Sequence, residues 1–329
     1  MKLISFVPDA RFGVTKAIGA VIDEERAVDL TLSYREYLLS KGLSREASTR
    51  IATTLIPENM VDFIEGGDVS REAAEIALSW AHDHDWDAPW ILRWKKLKRL
   101  CPIPRPPLLR DFMAFEEHLQ NIYPKLGRQI PPQWYKIPVY YKGNPASVST
   151  DGDPIVLPPY ETQLDFEFEL AFVIGRSGRD IPLPDARSYV YGFMIYNDFS
   201  ARAIQSEEMA VGLGPAKGKD FTSAHSLGPW LVTRDELPDI EGLAMVARVN
   251  GEEWVRTQLF NMYWSIEQMI HHASQAEVIQ AGEVWGLGTI GGGSGMERGQ
   301  FLQAGDYIEL EVERLGTLGN PIVASEERR

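Results

Sequence analysis

The chain has 329 residues, 44% of them hydrophobic and 24% charged, which is the composition of a folded globular protein long enough to bury a core without a metal or disulfide to hold it. Lysine and arginine number 33 against 47 aspartates and glutamates, and the net charge of −14 argues against a general nucleic-acid binder and against a polybasic membrane surface. A single cysteine, Cys101, rules out an internal disulfide and a multi-cysteine zinc site and fits a reducing compartment.

The apolar run after Met1 is too short for a signal peptide and nothing approaches a membrane span, so the expectation is a soluble, cytoplasmic protein. Residues 2–7 and 14–22 are apolar and β-branched. Asp9-Ala10-Arg11-Phe12-Gly13 between them reads as a turn, predicting a hairpin. From about Leu32 to Trp94 the period becomes helical, as in Arg71–Trp80. Cys101-Pro102-Ile103-Pro104-Arg105-Pro106-Pro107 can neither continue a helix nor sit in a central strand. It divides the chain into an N-terminal domain of hairpin and helices, 1–104, and a second domain, 105–329. Beyond it, strands are expected at Asp165–Ile174, Val190–Tyr196, Met245–Val249 and Tyr307–Val312, with helices at Phe115–Ile122 and Met262–Ser274. There is no internal repeat.

The most informative segment is Asp165-Phe166-Glu167-Phe168-Glu169-Leu170. On one strand Asp165, Glu167 and Glu169 share a face, and Phe166, Phe168 and Leu170 share the other. Two readings stand: a half-buried strand with a solvated acidic face, or a face whose mutual repulsion is relieved by a hard cation such as Mg²⁺, Ca²⁺ or Mn²⁺. In Asn197-Asp198-Phe199-Ser200-Ala201-Arg202-Ala203-Ile204-Gln205 an apolar strand runs into polar chain. Either Asp198 or Ser200 caps a helix, or the segment belongs to a site with Arg202 and Gln205 on one helical face. Asp111 could cap a helix that carries His118, and Glu116 or Glu117 could orient that imidazole.

Together these segments resemble the fumarylacetoacetate hydrolase family. The resemblance rests on Asp165-Phe166-Glu167-Phe168-Glu169, on Asn197-Asp198-Phe199-Ser200-Ala201-Arg202-Ala203-Ile204-Gln205, on Gly214-Pro215-Ala216-Lys217-Gly218-Lys219-Asp220-Phe221, and on Asp111-Phe112 with His118 following. It covers roughly residues 105 to 325. It implies an α+β, β-rich fold of the mixed β-sandwich roll type and a homodimer with Mg²⁺ or Ca²⁺ bound. It also implies Asp111, Glu167, Glu169 and Asp198 as metal ligands and His118 as the base that activates water. Arg202, Gln205 and Lys219 would be donors to developing oxyanion charge, Tyr141 a substrate contact, and Thr289 the start of a glycine-rich substrate loop. Met113 stands where the mammalian-type enzyme has a substrate-side tyrosine, and a thioether cannot donate a hydrogen bond. The family's basic residue after the histidine has only Lys125 and Arg128 as candidates.

The implied activity is metal-dependent hydrolysis of a carbon–carbon bond in a small β-diketone or acylpyruvate-type acid, in aromatic-compound catabolism. Alternatives are a 2-oxoacid decarboxylase, hydratase or isomerase of the same family and, from another class, a non-catalytic calcium-binding structural protein. Gly286-Leu287-Gly288-Thr289-Ile290-Gly291 matches a dinucleotide fingerprint only formally, because Gly292-Gly293-Ser294-Gly295 will not open the required helix. It reads as a flexible loop or as a cradle for a substrate carboxylate. His82-Asp83-His84-Asp85 reads as an exposed helix end, His271-His272 as structural, and Met262-Tyr263-Trp264 with Met269 as core or dimer contacts. Without a Gly-x-Ser-x-Gly motif, or a histidine near Cys101, a serine or cysteine nucleophile is not expected.

Overall fold

Lys2–Val7 and Ala17–Val21 pair antiparallel, with Lys2 opposite Val21 and Phe6 opposite Ala17, as the alternation predicts. The computed structural model describes residues 1–8, 15–84 and 87–325, so the turn expected at Asp9–Gly13 lies outside the described residues. Arg26–Asp29 adds to the pair. Four helices follow, Leu30–Ser40, Arg45–Leu55, Met60–Glu65 and Gly67–His82. Their starts are written locally: Asp29, Ser44 and Asn59 each accept a backbone N–H of the first turn. Ala73, Ala74, Ala77 and Ala81 line the buried stripe of Gly67–His82. These small side chains let Leu30–Ser40 approach until Ser33 Oγ donates to the Ala77 carbonyl at 2.7 Å.

The hairpin does not stand apart. Lys2–Val7 pairs with His225–Thr233, so the N-terminal strands and the central ones form a single sheet, twelve-stranded among the described residues. Its central order is His225–Thr233, Val190–Asp198, Phe168–Ile174, Val284–Gly286, Leu109–Phe112, Tyr140–Gly143. The proline segment is irregular, and the strands flanking it, Lys98–Leu100 and Leu109–Phe112, both belong to this sheet. A second, five-stranded sheet contains Ala244–Val249, Tyr307–Val312 and Gly316–Ala324. Phe168, Leu170, Phe172, Phe193 and Ile195 meet Met245, Ala247, Ile308 and Leu310 between the two sheets. The opposite face, with Ala171, Val173, Met194 and Leu231, lies under the N-terminal helices. Both faces of the central strands are therefore covered, and a solvated acidic face is not available to them. No helix among the described residues is long and apolar enough to cross a membrane.

Four local expectations are corrected. The strand predicted over Asp165–Ile174 is broken: Leu164–Asp165 pairs with Ser200–Ala201, and the long strand starts at Phe168. Asp111 caps no helix; it lies within Leu109–Phe112, and Glu116–Ile122 has no side-chain cap. Neither Asp198 nor Ser200 caps Arg202–Val211; Glu161 accepts the Ala203 and Ile204 amides at 3.2 and 3.3 Å instead. The helix expected from Met262 begins at Ile266, where Ser265 and Gln268 form a capping box.

His271 Nδ1 meets the Ile181 carbonyl at 2.7 Å, and His84 packs on the Trp80 ring with centroids 3.7 Å apart; both contacts are structural. Cys101 is buried, and burial pushes its thiol up to about 12. A thiol so rarely ionised is a poor nucleophile. Native protein at pH 8 should take up maleimide orders of magnitude more slowly than urea-unfolded protein; labelling at equal rates would contradict the packing of Cys101.

Candidate metal centre and active site

Sheet register brings the acidic residues together. Glu169 lies opposite Tyr196, and Asp111 lies opposite Gly286 on one side and Tyr141 on the other. The strand Val284–Gly286 runs between those carrying Asp111 and Glu169. A Cβ on Gly286 would stand 2.3 Å from Asp111 Oδ1 and 2.9 Å from Glu169 Oε2, so the two carboxylates meet over a position that must lack a side chain. Glu167 sits in the break before the long strand, where its amide donates to Asn197 Oδ1 at 3.1 Å and its carbonyl accepts from the Asp198 amide. Asp111, Glu167, Glu169 and Asp198 are all buried and offer oxygens within 4.8 Å of one another.

Asp165 does not share this cluster. Its carboxylate receives Arg202 Nη2 at 2.8 Å and the Gly295 and Met296 amides at 2.7 and 3.1 Å. The chain break after Asp165 undoes the strict alternation that would have placed it with Glu167 and Glu169. Arg202 also donates to Glu167 Oε1 at 2.7 Å and to Gln205 Oε1 at 3.1 Å, as expected of residues three apart on a helix. Lys219, buried, is bonded to Glu167 Oε2 and Asp198 Oδ2. Tyr141 donates to Asp198 Oδ2 at 2.7 Å. The glycine-rich loop cradles the protein's own carboxylates: Gly288 N and Thr289 Oγ1 donate to Glu169 at 3.0 and 3.1 Å, and Gly292 N donates to Glu297.

His118, buried on Glu116–Ile122, holds its Nε2 4.0 Å from Glu167 Oε1. Its partner is neither Glu116, which accepts from Tyr135 Oη at 2.6 Å, nor the exposed Glu117, but Glu297, bonded to Nδ1. Asn121 steadies the other Glu297 oxygen at 2.9 Å. Sequence reading missed Glu297; its one signal is Ser294-x-x-Glu297, a helix-start signature in which Ser294 Oγ does accept the Glu297 amide. It also missed His225, whose Nδ1 lies 3.1 Å from Asp198 Oδ1. Lys125 donates to the Met296 and Glu297 carbonyls, which closes the short helix against the His118 helix. A cavity of about 400 Å³ opens beside the cluster, with Met113, His118, Arg128, Tyr141, Gln205 and Thr289 among its lining residues.

The donor set fits a hard divalent cation. It consists of carboxylate oxygens alone, Asp111 Oδ1 is buried without a hydrogen-bond partner, and Gly286 keeps the space between two of the carboxylates open. The acidities divide in the same way. Burial, then the Asp198 charge, pushes Asp111 well above its ordinary 3.8, and burial with Asp111 and Asp198 does the same to Glu169 above 4.5. Burial would also raise Glu167 and Asp198. Arg202 and Lys219 nonetheless bring Glu167 below its ordinary value, and Lys219 and His225 bring Asp198 far below its own.

A model of the fumarylacetoacetate (FAA) hydrolase C-terminal domain matches residues 108–323. The chain belongs to the fumarylacetoacetate hydrolase family, a family of enzymes. It is 28% identical over 312 residues to an oxaloacetate tautomerase of Bacillus subtilis, covering 93% of this chain and 95% of the relative. It is 32% identical over 270 residues to a mitochondrial oxaloacetate tautomerase of Xenopus laevis, covering 82% of this chain and 79% of the relative. Among solved structures, a fumarylacetoacetate hydrolase of Exiguobacterium antarcticum superposes with a TM-score of 0.71 at 25% identity, covering 99% of this chain and all 100% of the other.

Two outcomes follow for the cation. Asp111 and Glu169 must lose protons for it to bind, so Mg²⁺ binding should release protons and tighten as pH rises, measurable by calorimetry in buffers of different ionisation enthalpy. Without the cation the folded state holds those protons above the ordinary carboxylate values of 3.8 and 4.5, where the unfolded chain does not. In EDTA the melting temperature should therefore fall as pH rises above that range, and added Mg²⁺ should restore it. The depressed Glu167 and Asp198 act in the opposite sense: their contribution is present above the ordinary range and is lost as pH falls below it.

Proposed function

We propose that the protein is a divalent-metal-dependent keto–enol tautomerase of a small 2-oxodicarboxylic acid of the oxaloacetate class. Asp111, Glu167, Glu169 and Asp198 would hold the ion. A bound cation supplies Lewis-acid polarisation of a substrate carbonyl. His118 Nε2 takes a proton from the carbon beside that carbonyl, and Glu297 at Nδ1 stabilises the imidazolium. The same nitrogen returns the proton to the substrate oxygen, and the reverse transfers convert enol to keto with no net change of atoms. Tyr141 is held neutral, since burial and the Asp198 charge push its hydroxyl well above 10.0, and it remains a donor.

The observation that carries this reading is the likeness to two oxaloacetate tautomerases, each over most of the chain, together with an imidazole that faces the carboxylate cluster and is backed by a buried carboxylate. Arg202 and Lys219 line the same cavity and pair with Glu167, so they hold the cluster's charge in either reaction. The hydrolysis suggested by the motifs remains the second reading: His118 would take its proton from water, and the cavity of about 400 Å³ leaves room for a longer diketone.

The test follows enol-oxaloacetate by ultraviolet absorbance with Mg²⁺ and again with EDTA, beside a panel of acylpyruvates. Tautomerisation should require the metal, and H118A should lower kcat by about 10²–10⁴-fold with the fold retained. A protein that cleaves acylpyruvates while oxaloacetate tautomerises only at the background rate would replace this reading with hydrolysis.

A further inference from the structure

We propose that His225 is a positioning residue of the cation site: its imidazole fixes the Asp198 carboxylate in the orientation a divalent ion needs. The inference rests on the reading of the four carboxylates as cation ligands. His225 lies directly opposite Asp198 across the antiparallel pair of Val190–Asp198 with His225–Thr233, so the two side chains share a face. The imidazole is completely buried. Its Nδ1 is 3.1 Å from Asp198 Oδ1 and 2.8 Å from Tyr196 Oη. An ionised carboxylate only accepts, so the contact with Asp198 requires the proton on Nδ1.

The other nitrogen shows what the arrangement is arranged around. Nε2 is buried with no hydrogen-bond partner, and the nearest carboxylate oxygen, Asp220 Oδ1, is 3.9 Å away, beyond hydrogen-bond reach. Leaving a buried polar atom unpaired is unfavourable, so the histidine is held here by what its Nδ1 meets, Asp198 Oδ1 and Tyr196 Oη. The pocket is nevertheless shaped to the ring: a Cβ on Gly143 would come within 3.0 Å of Nε2. With Oδ1 held by His225 and Oδ2 by Tyr141 and Lys219, the Asp198 carboxylate is held from both sides. Outer partners of this kind orient ligands, and their loss typically weakens metal binding by about 10–100-fold.

The experiment measures Mn²⁺ binding by calorimetry, without substrate, for the wild type, H225L, H225A and H225N, with melting temperatures in EDTA recorded alongside. H225L keeps apolar volume and removes the donor; H225N keeps an N–H donor on a smaller side chain. The expected result is binding about 10–100-fold weaker in H225L and H225A, with H225N close to wild type. Should H225L fail to fold, H225A against H225N carries the comparison. Wild-type affinity in H225L, or a loss in H225N as large as in H225A, overturns the role of His225 and leaves the ligand set standing. A wild type that binds no Mn²⁺ overturns the ligand set and this inference with it.

Discussion

Mutual repulsion among buried carboxylates is the constraint around which this molecule is built. At an effective dielectric of about 20, two unit charges 4.8 Å apart repel by about 3 kcal/mol. Asp111, Glu167, Glu169 and Asp198 each face such neighbours while buried. Two protein cations answer part of the charge, and they do so unevenly: Lys219 and Arg202 lie beside Glu167 and Asp198, while Asp111 and Glu169 are left to protonate or to share an ion. The asymmetry separates a half of the cluster whose acidity is raised by neighbouring cations from a half whose acidity is lowered by burial and like charge.

Holding such a cluster takes a rigid frame. Asp111, Glu169 and Asp198 come from three strands of one sheet, and Glu167 is tied by its backbone to the Asn197–Asp198 end of a neighbouring strand. Phenylalanines on the reverse face of the same strands lock the register, since a slip by one residue would exchange carboxylate and aromatic faces. The short helix carrying Glu297 and the helix carrying His118 are tied by Asn121 and Lys125, so the His118–Glu297 pair is set by contacts outside the sheet.

Much of this was legible in the sequence, for identifiable reasons. Alternation marked Glu167 and Glu169 against the phenylalanines, and the apolar strand running into Asn197-Asp198 marked the third acid. Asp165 was misplaced because a chain break of two residues is invisible to a pattern that assumes an unbroken strand. Glu297 was missed because its partner, His118, is 179 positions away, and the nearer Glu116 and Glu117 looked better placed. His225 gave no signal, since one histidine between Ala224 and Ser226 says nothing of which residue lies opposite. The glycine-rich loop read equally as a flexible loop or as a cradle for a substrate carboxylate, and what its donors meet are carboxylates of this chain.

The hairpin and helices of the first hundred residues, for which no role could be read from sequence, complete the sheet and roof the face carrying Ala171, Val173, Met194 and Leu231. Catalytic identity and folding unit therefore have different borders. The stretch 108–323 holds the four carboxylates, the imidazole and its partner, yet cut free it would present a bare apolar slab to water. A minimal catalyst derived from this scaffold would need that slab repainted with polar side chains before it could stay dispersed.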